Sequence, residues 1–337
     1  MTEIDFNRLR RQPLIGEQSY LSMLEWFNED LEELREKLAE PTDDPRDTVA
    51  GLTACAYRYW NAFQLRLTGG DDLASLAPYL TQVVEAFEDV AVALNDVPDA
   101  HYYPPFVLND MIDTYVDYLN LLSAAVLLHR EDLIPRIYEL IAETDYDESD
   151  AVIETLLSFY LPNRPKMDFH FWKPYTPLFN AITQQDPAER AKGMEKFVKN
   201  WYKSMKGVAH FWGKHEQIEP DFSPYFGYWA MCAGAFTYLL DIDDSRYRDE
   251  MVYPKDMVEY ARSQPRNSVE LEDGSTILRV LGGQPCPTAG HWFSPAKPDS
   301  GRHFKKDEIL PVFDSAYGLT IWQLEKNEGS QDPQPML

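Results

Sequence analysis

The amino-acid sequence predicts a mainly α-helical fold, an antiparallel bundle or stack of helices that ends in a small β-containing extension. Three observations lead to this prediction. Apolar residues recur at three- and four-residue steps through the first 160 residues, which is the period of amphipathic helices. Short polar or Pro/Gly breaks separate these segments, as is typical of antiparallel helical neighbours. After Pro265, turn residues and short alternating segments replace the helical pattern.

The leading part of the chain predicts six helices. Four of their boundaries rest on helix-stopping or capping residues: Pro41, Asp43 or Asp44 before Pro45, Gly69-Gly70, and Asp71-Asp72. The predicted helices span 18–40, 45–69, a third segment from 73 through Leu94, then 105–129, 133–143 and 150–161. Pro162 to Pro165 then marks a boundary, because prolines cannot continue a helix.

The trailing part predicts fewer helices and some strand. One helix spans 187–205 behind an Asp186 cap, and an apolar one over 225–240 forms the buried centre of a second domain. A short helix fits 254–262, Asp273-Gly274 closes a hairpin, and 320–324 alternates like a strand. The predicted domains are an acidic helical domain at 1–161, a helical domain at 166–265, a loop-rich β extension at 266–326 and a frayed tail at 327–337.

Negative charge is concentrated in the leading half. Residues 1–150 carry 31 acidic and 10 basic side chains, a net charge of −21, whereas residues 151–337 carry 25 acidic and 21 basic side chains, a net charge of −4. Such a surface repels nucleic acid, anionic membranes and other copies of the chain, and it steers basic proteins toward it. The charge therefore predicts a protein-binding function with a basic partner.

Composition predicts a cytoplasmic protein without a metal or another cofactor. Cys55, Cys232 and Cys286 are far apart and odd in number, which fits a reducing compartment. The first residues lack the apolar core of a signal peptide, and no stretch approaches the roughly 20 apolar residues that span a bilayer. No histidine follows a glutamate by three residues and no zinc-helix motif occurs, so we expect no metal site.

One thiol leaves an enzymatic alternative open. Cys286 lies in a Gly-Gly-Gln-Pro-Cys-Pro segment with His291 five residues later, and His303 follows. A cysteine beside a histidine can be activated as a nucleophile. The prolines and glycines around it favour a rigid loop instead, and we expect the chain not to be an enzyme.

Three groups of acidic residues are candidates for partner binding. Asp110, Asp113 and Asp117 are spaced to form one stripe on the fourth predicted helix, where their repulsion would be relieved by a cation. Asp145, Asp147 and Glu148 cluster in a loop, and Tyr103 supplies an aromatic ring beside the acidic residues. Glutamates form a similar stripe on the first predicted helix: Glu25, Glu29, Glu32, Glu33 and Glu36. We expect the contacts with the partner to come from the first two groups and Tyr103.

Several motifs resemble a known family. Tyr225-Phe226-Gly227-Tyr228-Trp229, then Leu240 to Ser245, Arg248-Asp249 and Tyr253 to Val258 resemble the C-terminal domain of PoNi-like immunity proteins of bacterial polymorphic-toxin and type VI secretion systems. Residues 283–287, 290–293 and 318–323 resemble a C-terminal module of other immunity proteins from such loci.

The resemblance implies an all-helical antitoxin that inhibits a cognate toxin, often a nuclease, stoichiometrically and without catalysis. A nuclease needs a basic groove for its substrate, and an acidic protein can plug that groove. An adaptor or chaperone for the effector remains an alternative, and the sequence leaves the oligomeric state open.

Overall fold

Eleven α-helices are found in the described part of the chain. The computed structural model describes residues 3–98, 104–161, 163–264, 269–270, 276–277, 279–294, 297, 300–313 and 320–324. The helices are α1 (Glu3–Leu9), α2 (Glu17–Leu38), α3 (Pro45–Gly69), α4 (Leu73–Leu94), α5 (Ile112–Leu127), α6 (Leu133–Glu139), α7 (Ala151–Leu157), α8 (Thr176–Ile182), α9 (Pro187–Ser204), α10 (Met231–Leu239) and α11 (Lys255–Ser263). The mainly α fold predicted from the sequence is confirmed.

Capping residues fix the helix ends where the sequence predicts them. The Asp44 carboxylate accepts a hydrogen bond from Arg46 N at 3.0 Å and starts α3. Gly70 ends α3 in the left-handed conformation, with φ at 97°. Asp72 starts α4 by accepting from Ser75 N at 3.0 Å. Helices α6 and α7 end four residues earlier than predicted.

The helix predicted over 105–129 starts later than expected. Helix α5 begins at Ile112, so Asp110 lies ahead of it. The indole Nε1 of Trp172 donates a hydrogen bond to Leu108 O at 2.7 Å, which takes that carbonyl away from helical bonding.

The helix predicted over 225–240 is also shorter, because α10 begins only at Met231. Side chains from far along the sequence bind the backbone ahead of it. Thr68 Oγ1 donates to Phe226 O at 2.7 Å, and Gln12 Nε2 donates to Tyr228 O at 2.8 Å. These bonds hold the segment before α10 in a non-helical conformation.

Helices α5 and α10 form the centre of one shared core. All nine residues of α10 are buried, and α10 packs against α5 and α11. Residues 1–160 and 164–264 constitute one compact unit. Both predicted helical segments, 1–161 and 166–265, contribute to this core, and their division into separate domains stays a prediction.

The second unit comprises residues 161–163 and 265–337. Strands β3 (Arg279–Leu281), β4 (Gly290–Phe293), β5 (Arg302–Phe304) and β6 (Ile321–Leu324) form an antiparallel sheet in the order β3-β6-β4-β5. A two-residue ladder joins β1 (Val269–Glu270) to β2 (Thr276–Ile277). The Asp273-Gly274 turn and the tail at 327–337 lie outside the described residues.

Candidate protein-binding site

Most acidic side chains of α2 and α4 face solvent. Five exposed glutamates lie along α2: Glu25, Glu29, Glu32, Glu33 and Glu36. On α4, Glu85 and Asp89 are exposed as well. Asp30 is an exception, since it pairs with Arg58 at 2.6 Å. The negative charge therefore remains available to steer a cationic partner.

Three segments of chain converge beside the start of α5: 108–111, 145–149 and 168–172. The Tyr146 hydroxyl donates a hydrogen bond to Asn109 Oδ1 at 3.1 Å and joins the first segment to the second. The bond from Trp172 to Leu108 joins the first to the third. The rings of Tyr146 and Phe171 meet edge to face with centroids 6.1 Å apart, and this contact joins the second segment to the third. We call the surface of these segments the acidic loop patch.

The acidic loop patch combines carboxylates with exposed apolar side chains. Its exposed acidic residues are Asp110, Asp145, Glu148 and Asp168. Met111 and Phe169 belong to the same segments, and 46% and 59% of their surfaces remain exposed. Large apolar side chains among charged groups are typical of protein-binding surfaces, where the apolar groups anchor and the charges orient.

The predicted contact residues fall into two groups. Asp110, Asp145 and Glu148 lie exposed on the acidic loop patch. Asp147, from the same loop, instead faces Arg164, whose Nη2 lies 2.7 Å from Asp147 Oδ1. Tyr103 lies outside the described residues. That these residues contact a partner stays a prediction.

A buried ion pair supports the acidic loop patch from beneath. Arg164 Nε and Nη2 donate to the two carboxylate oxygens of Glu154 at 2.7 and 2.8 Å. The side chains of Arg164 and Glu154 are only 6% and 1% exposed. Burial raises the pKa of Glu154, and the hydrogen bonds and charge of Arg164 oppose that rise. Arg164 thereby fixes the loop that carries Asp147.

Asp113 and Asp117 lie on α5 but do not extend a stripe from Asp110. Asp113 accepts backbone hydrogen bonds from His210 N and Phe211 N, both at 3.0 Å. Asp117 accepts one from Trp60 Nε1 at 2.7 Å. Burial raises the pKa of Asp117 to about 7, and the neighbouring Asp113 adds to the rise. Both carboxylates line a cleft rather than a flat surface.

Sequence reasoning missed the apolar part of the acidic loop patch. Residues 167–172 stand out as an aromatic run, which is the only sequence signal for Phe169. The pattern does not reveal that Phe169 is exposed while Tyr175 nearby is buried. Met111 and Asp168 carry no comparable signal.

Across the described ranges, no group of three or more His, Cys, Asp or Glu side chains is placed to hold a metal ion. No helix in the described part is long and apolar enough to cross a membrane.

The candidate thiol is in a poor state for catalysis. The side chain of Cys286 is buried, and its Sγ donates to Thr288 O at 2.9 Å. Burial raises the pKa of Cys286, so the thiolate is disfavoured at neutral pH. His291 and His303 pair with each other in register across β4 and β5.

If the chain protects its host from a toxin without catalysis, as the resemblance implies, we expect Cys286→Ala to leave that protection unchanged, because the buried thiol would then contribute packing alone. The measurement is survival of cells that express the toxin together with either form of the protein. A loss of protection in a variant that unfolds at the same urea concentration as the wild type would instead favour a thiol enzyme.

The chain is a mainly α-helical protein with an acidic, partly apolar surface patch, and its second unit contains a small antiparallel sheet. Residues 148–257 match the family model described as PoNe immunity proteins (PoNi), C-terminal. The resemblance to PoNi-like immunity proteins predicted from the motifs is therefore confirmed over this segment. The matched segment includes Glu148, Asp168 and Phe169 of the acidic loop patch and the buried Arg164.

A solved structure shares the fold. This chain is similar to protein PA2201 from Pseudomonas aeruginosa, with a TM-score of 0.61 and 19% sequence identity over 75% of this chain and 91% of that chain. At this identity the likeness shows the fold alone. No curated protein matches the sequence.

Proposed function

We propose that this protein is a cytoplasmic immunity protein that neutralises a cognate secreted antibacterial effector, a basic nuclease, by binding it stoichiometrically. The matched family consists of immunity proteins to PoNe, which supports a toxin as the partner. The observation that carries the proposal is the acidic loop patch, whose three joined segments carry exposed Met111 and Phe169 together with four exposed carboxylates.

The physical basis is competition with the nuclease substrate. A nuclease groove holds lysine and arginine side chains that bind phosphates. The carboxylates of the patch offer those cations a negative partner, and the leading helices add a long-range field that speeds the encounter. Phe169 and Met111 supply apolar area, which slows dissociation. Inhibition requires no catalysis by this chain.

Reversing the patch charges in Asp110→Lys/Asp145→Lys/Glu148→Lys should slow toxin association by about tenfold or more at low salt, because rim charges act mainly on the association rate. The measurement is the association rate constant against salt concentration, with the protein of the neighbouring reading frame as partner. The matched control is Glu85→Lys/Asp89→Lys/Asp96→Lys, which changes the net charge equally on exposed residues of the α4 region. Equal slowing by both variants would contradict a role for the patch.

The apolar anchor provides a complementary measurement on the same complex. Phe169→Ser should leave the association rate nearly unchanged and raise the dissociation rate, because it removes contact area and no charge. Nuclease activity of the purified complex separates an immunity protein from an adaptor. An inhibitor holds the toxin inactive, whereas an adaptor would deliver it active.

A further inference from the structure

A cleft opens beside α5. It has a volume of about 280 Å³ and lies between α3, α5 and residues 210–229. Pockets for whole small-molecule ligands usually measure about 300 to 1,000 Å³. The cleft is therefore of a size for one long side chain.

The walls of the cleft combine carboxylates with aromatic rings. Asp113 and Asp117 stand on α5, and Tyr57, Phe211 and Tyr228 contribute rings. Aromatic faces attract cations through their quadrupole, and carboxylates pair with them directly. Trp201 also lines the cleft. The walls thus offer a cation both an ion-pair partner and aromatic faces.

Asp113 and Asp117 differ in how many of their hydrogen-bond acceptor positions are already occupied. Both oxygens of Asp113 accept backbone hydrogen bonds, from His210 and Phe211. Asp117 accepts its bond from Trp60 on Oδ1. A carboxylate has about four acceptor positions, so Asp117 can still bind a cation.

Several charged or titratable side chains line the cleft around Asp117. The charged and titratable groups around it are Asp113, Tyr57, His210, Lys214, Tyr225 and Tyr228. Within the described part of the chain, no ion pair joins Lys214 to either carboxylate. The His210 ring lies 3.7 Å from Asp113 and is mostly exposed, with 80% of its side-chain surface accessible.

We propose that this cleft receives a single arginine or lysine side chain of the cognate toxin, which pairs with Asp117 between the aromatic walls. This inference rests on the proposed function, and it names a contact beyond the acidic loop patch. Asp113 on the wall of the cleft follows Met111 of the acidic loop patch by two residues, so the cleft and the patch adjoin along the chain. The pKa of Asp117, about 7 without a cation, falls when the cation enters, and the carboxyl group releases a proton to solvent.

The test on the free protein uses agmatine as a probe of the arginine side chain. The indole N–H resonance of Trp60 reports on Asp117 directly, because it donates to that carboxylate. We expect this resonance to titrate with a midpoint near pH 7, and saturating agmatine to move the midpoint lower. In Asp117→Asn the agmatine dissociation constant should rise about tenfold and the titration should vanish. Asp89→Asn, an exposed acid on α4, should behave as the wild type.

A second variant excludes internal neutralisation by Lys214. If Lys214 fills the cleft, Lys214→Met should strengthen agmatine binding at least tenfold, and the cleft would be closed to a toxin side chain. If the cleft is open, as we infer, Lys214→Met should change the dissociation constant by less than threefold. If agmatine left the chemical shift and the titration midpoint of the Trp60 indole N–H unchanged in every variant, the inference would be overturned.

The toxin complex separates this inference from the proposed function. We expect Asp117→Asn to weaken the complex about tenfold and to abolish the release of a proton on binding, measured by calorimetry in buffers of different ionisation enthalpy. A complex of wild-type affinity with Asp117→Asn would overturn the inference and leave the function standing. Absence of any complex with the wild-type protein would overturn the function, while the agmatine experiment would still decide what the cleft binds.

Discussion

Replacing Arg164 with Met is expected to lower the free energy of unfolding by about 3 to 5 kcal/mol, the cost of leaving a buried charge without its partner. Arg164 binds both oxygens of Glu154 and one oxygen of Asp147, and its guanidinium lies over the Tyr138 ring at 4.5 Å. Methionine fills part of the same volume but satisfies none of these carboxylates. Urea unfolding followed by tryptophan fluorescence measures the change.

The loss should depend on pH in a definite direction. Glu154 already has a raised pKa, and removing Arg164 raises it further. Above that pKa the folded variant holds an unpaired carboxylate, whereas below it the carboxyl group is neutral and tolerates burial. The difference in stability between wild type and variant should therefore be larger at pH 8 than at pH 5.

Two control variants make the Arg164 result specific. Arg164→Met/Glu154→Gln should recover part of the loss, because the glutamine leaves no buried charge. Arg46→Met breaks an exposed pair with Asp44, 3.5 Å apart and more than half exposed on the arginine side. It should cost less than about 0.5 kcal/mol. A loss in Arg164→Met as small as that in Arg46→Met would contradict the assigned role.

Local sequence rules predicted the helices where the determining contacts are local. Asp44, Asp72 and Asp186 cap helices within three residues of their own positions, so their effect can be read along the chain. The helical predictions over 105–111 and 225–230 were wrong because the contacts that determine the backbone there are long-range. Trp172, Gln12 and Thr68 bind those backbones from 64, 216 and 158 residues away. No periodicity reveals bonds of that separation.

In the candidate site too, the sequence predicts where acidic residues are concentrated but not which of them face solvent. Composition placed the acidic residues on the leading half, and their exposure on α2 and in the acidic loop patch follows from ordinary solvation of charge. Asp147 and Asp117 look identical to Asp145 in the sequence. They differ only because folding brings Arg164 to the first and Trp60 to the second. Which acid faces outward is therefore a tertiary property.

Gly227 belongs to the motif that resembles the family, and the packing of the core also requires a glycine at this position. Its φ of 127° lies in a region that residues with a side chain rarely adopt. A Cβ atom here would also collide with Thr68 Oγ1 and Trp229 Nε1. Those two atoms are hydrogen-bonded to each other at 2.9 Å, and Thr68 in turn holds Phe226 O. Alanine must therefore displace a buried polar network as well as strain the backbone.

We expect Gly227→Ala to lower the free energy of unfolding by about 3 to 5 kcal/mol, the sum of backbone strain and displaced packing. Gly207→Ala is the matched control, since its φ of 79° is also left-handed but nothing lies within 4 Å of the added Cβ. That control should lose only the strain, about 1 to 2 kcal/mol. Urea unfolding of both variants measures the difference. If the two lost equal stability, the Thr68–Trp229 contact would have no share in requiring glycine, and the motif would need another explanation.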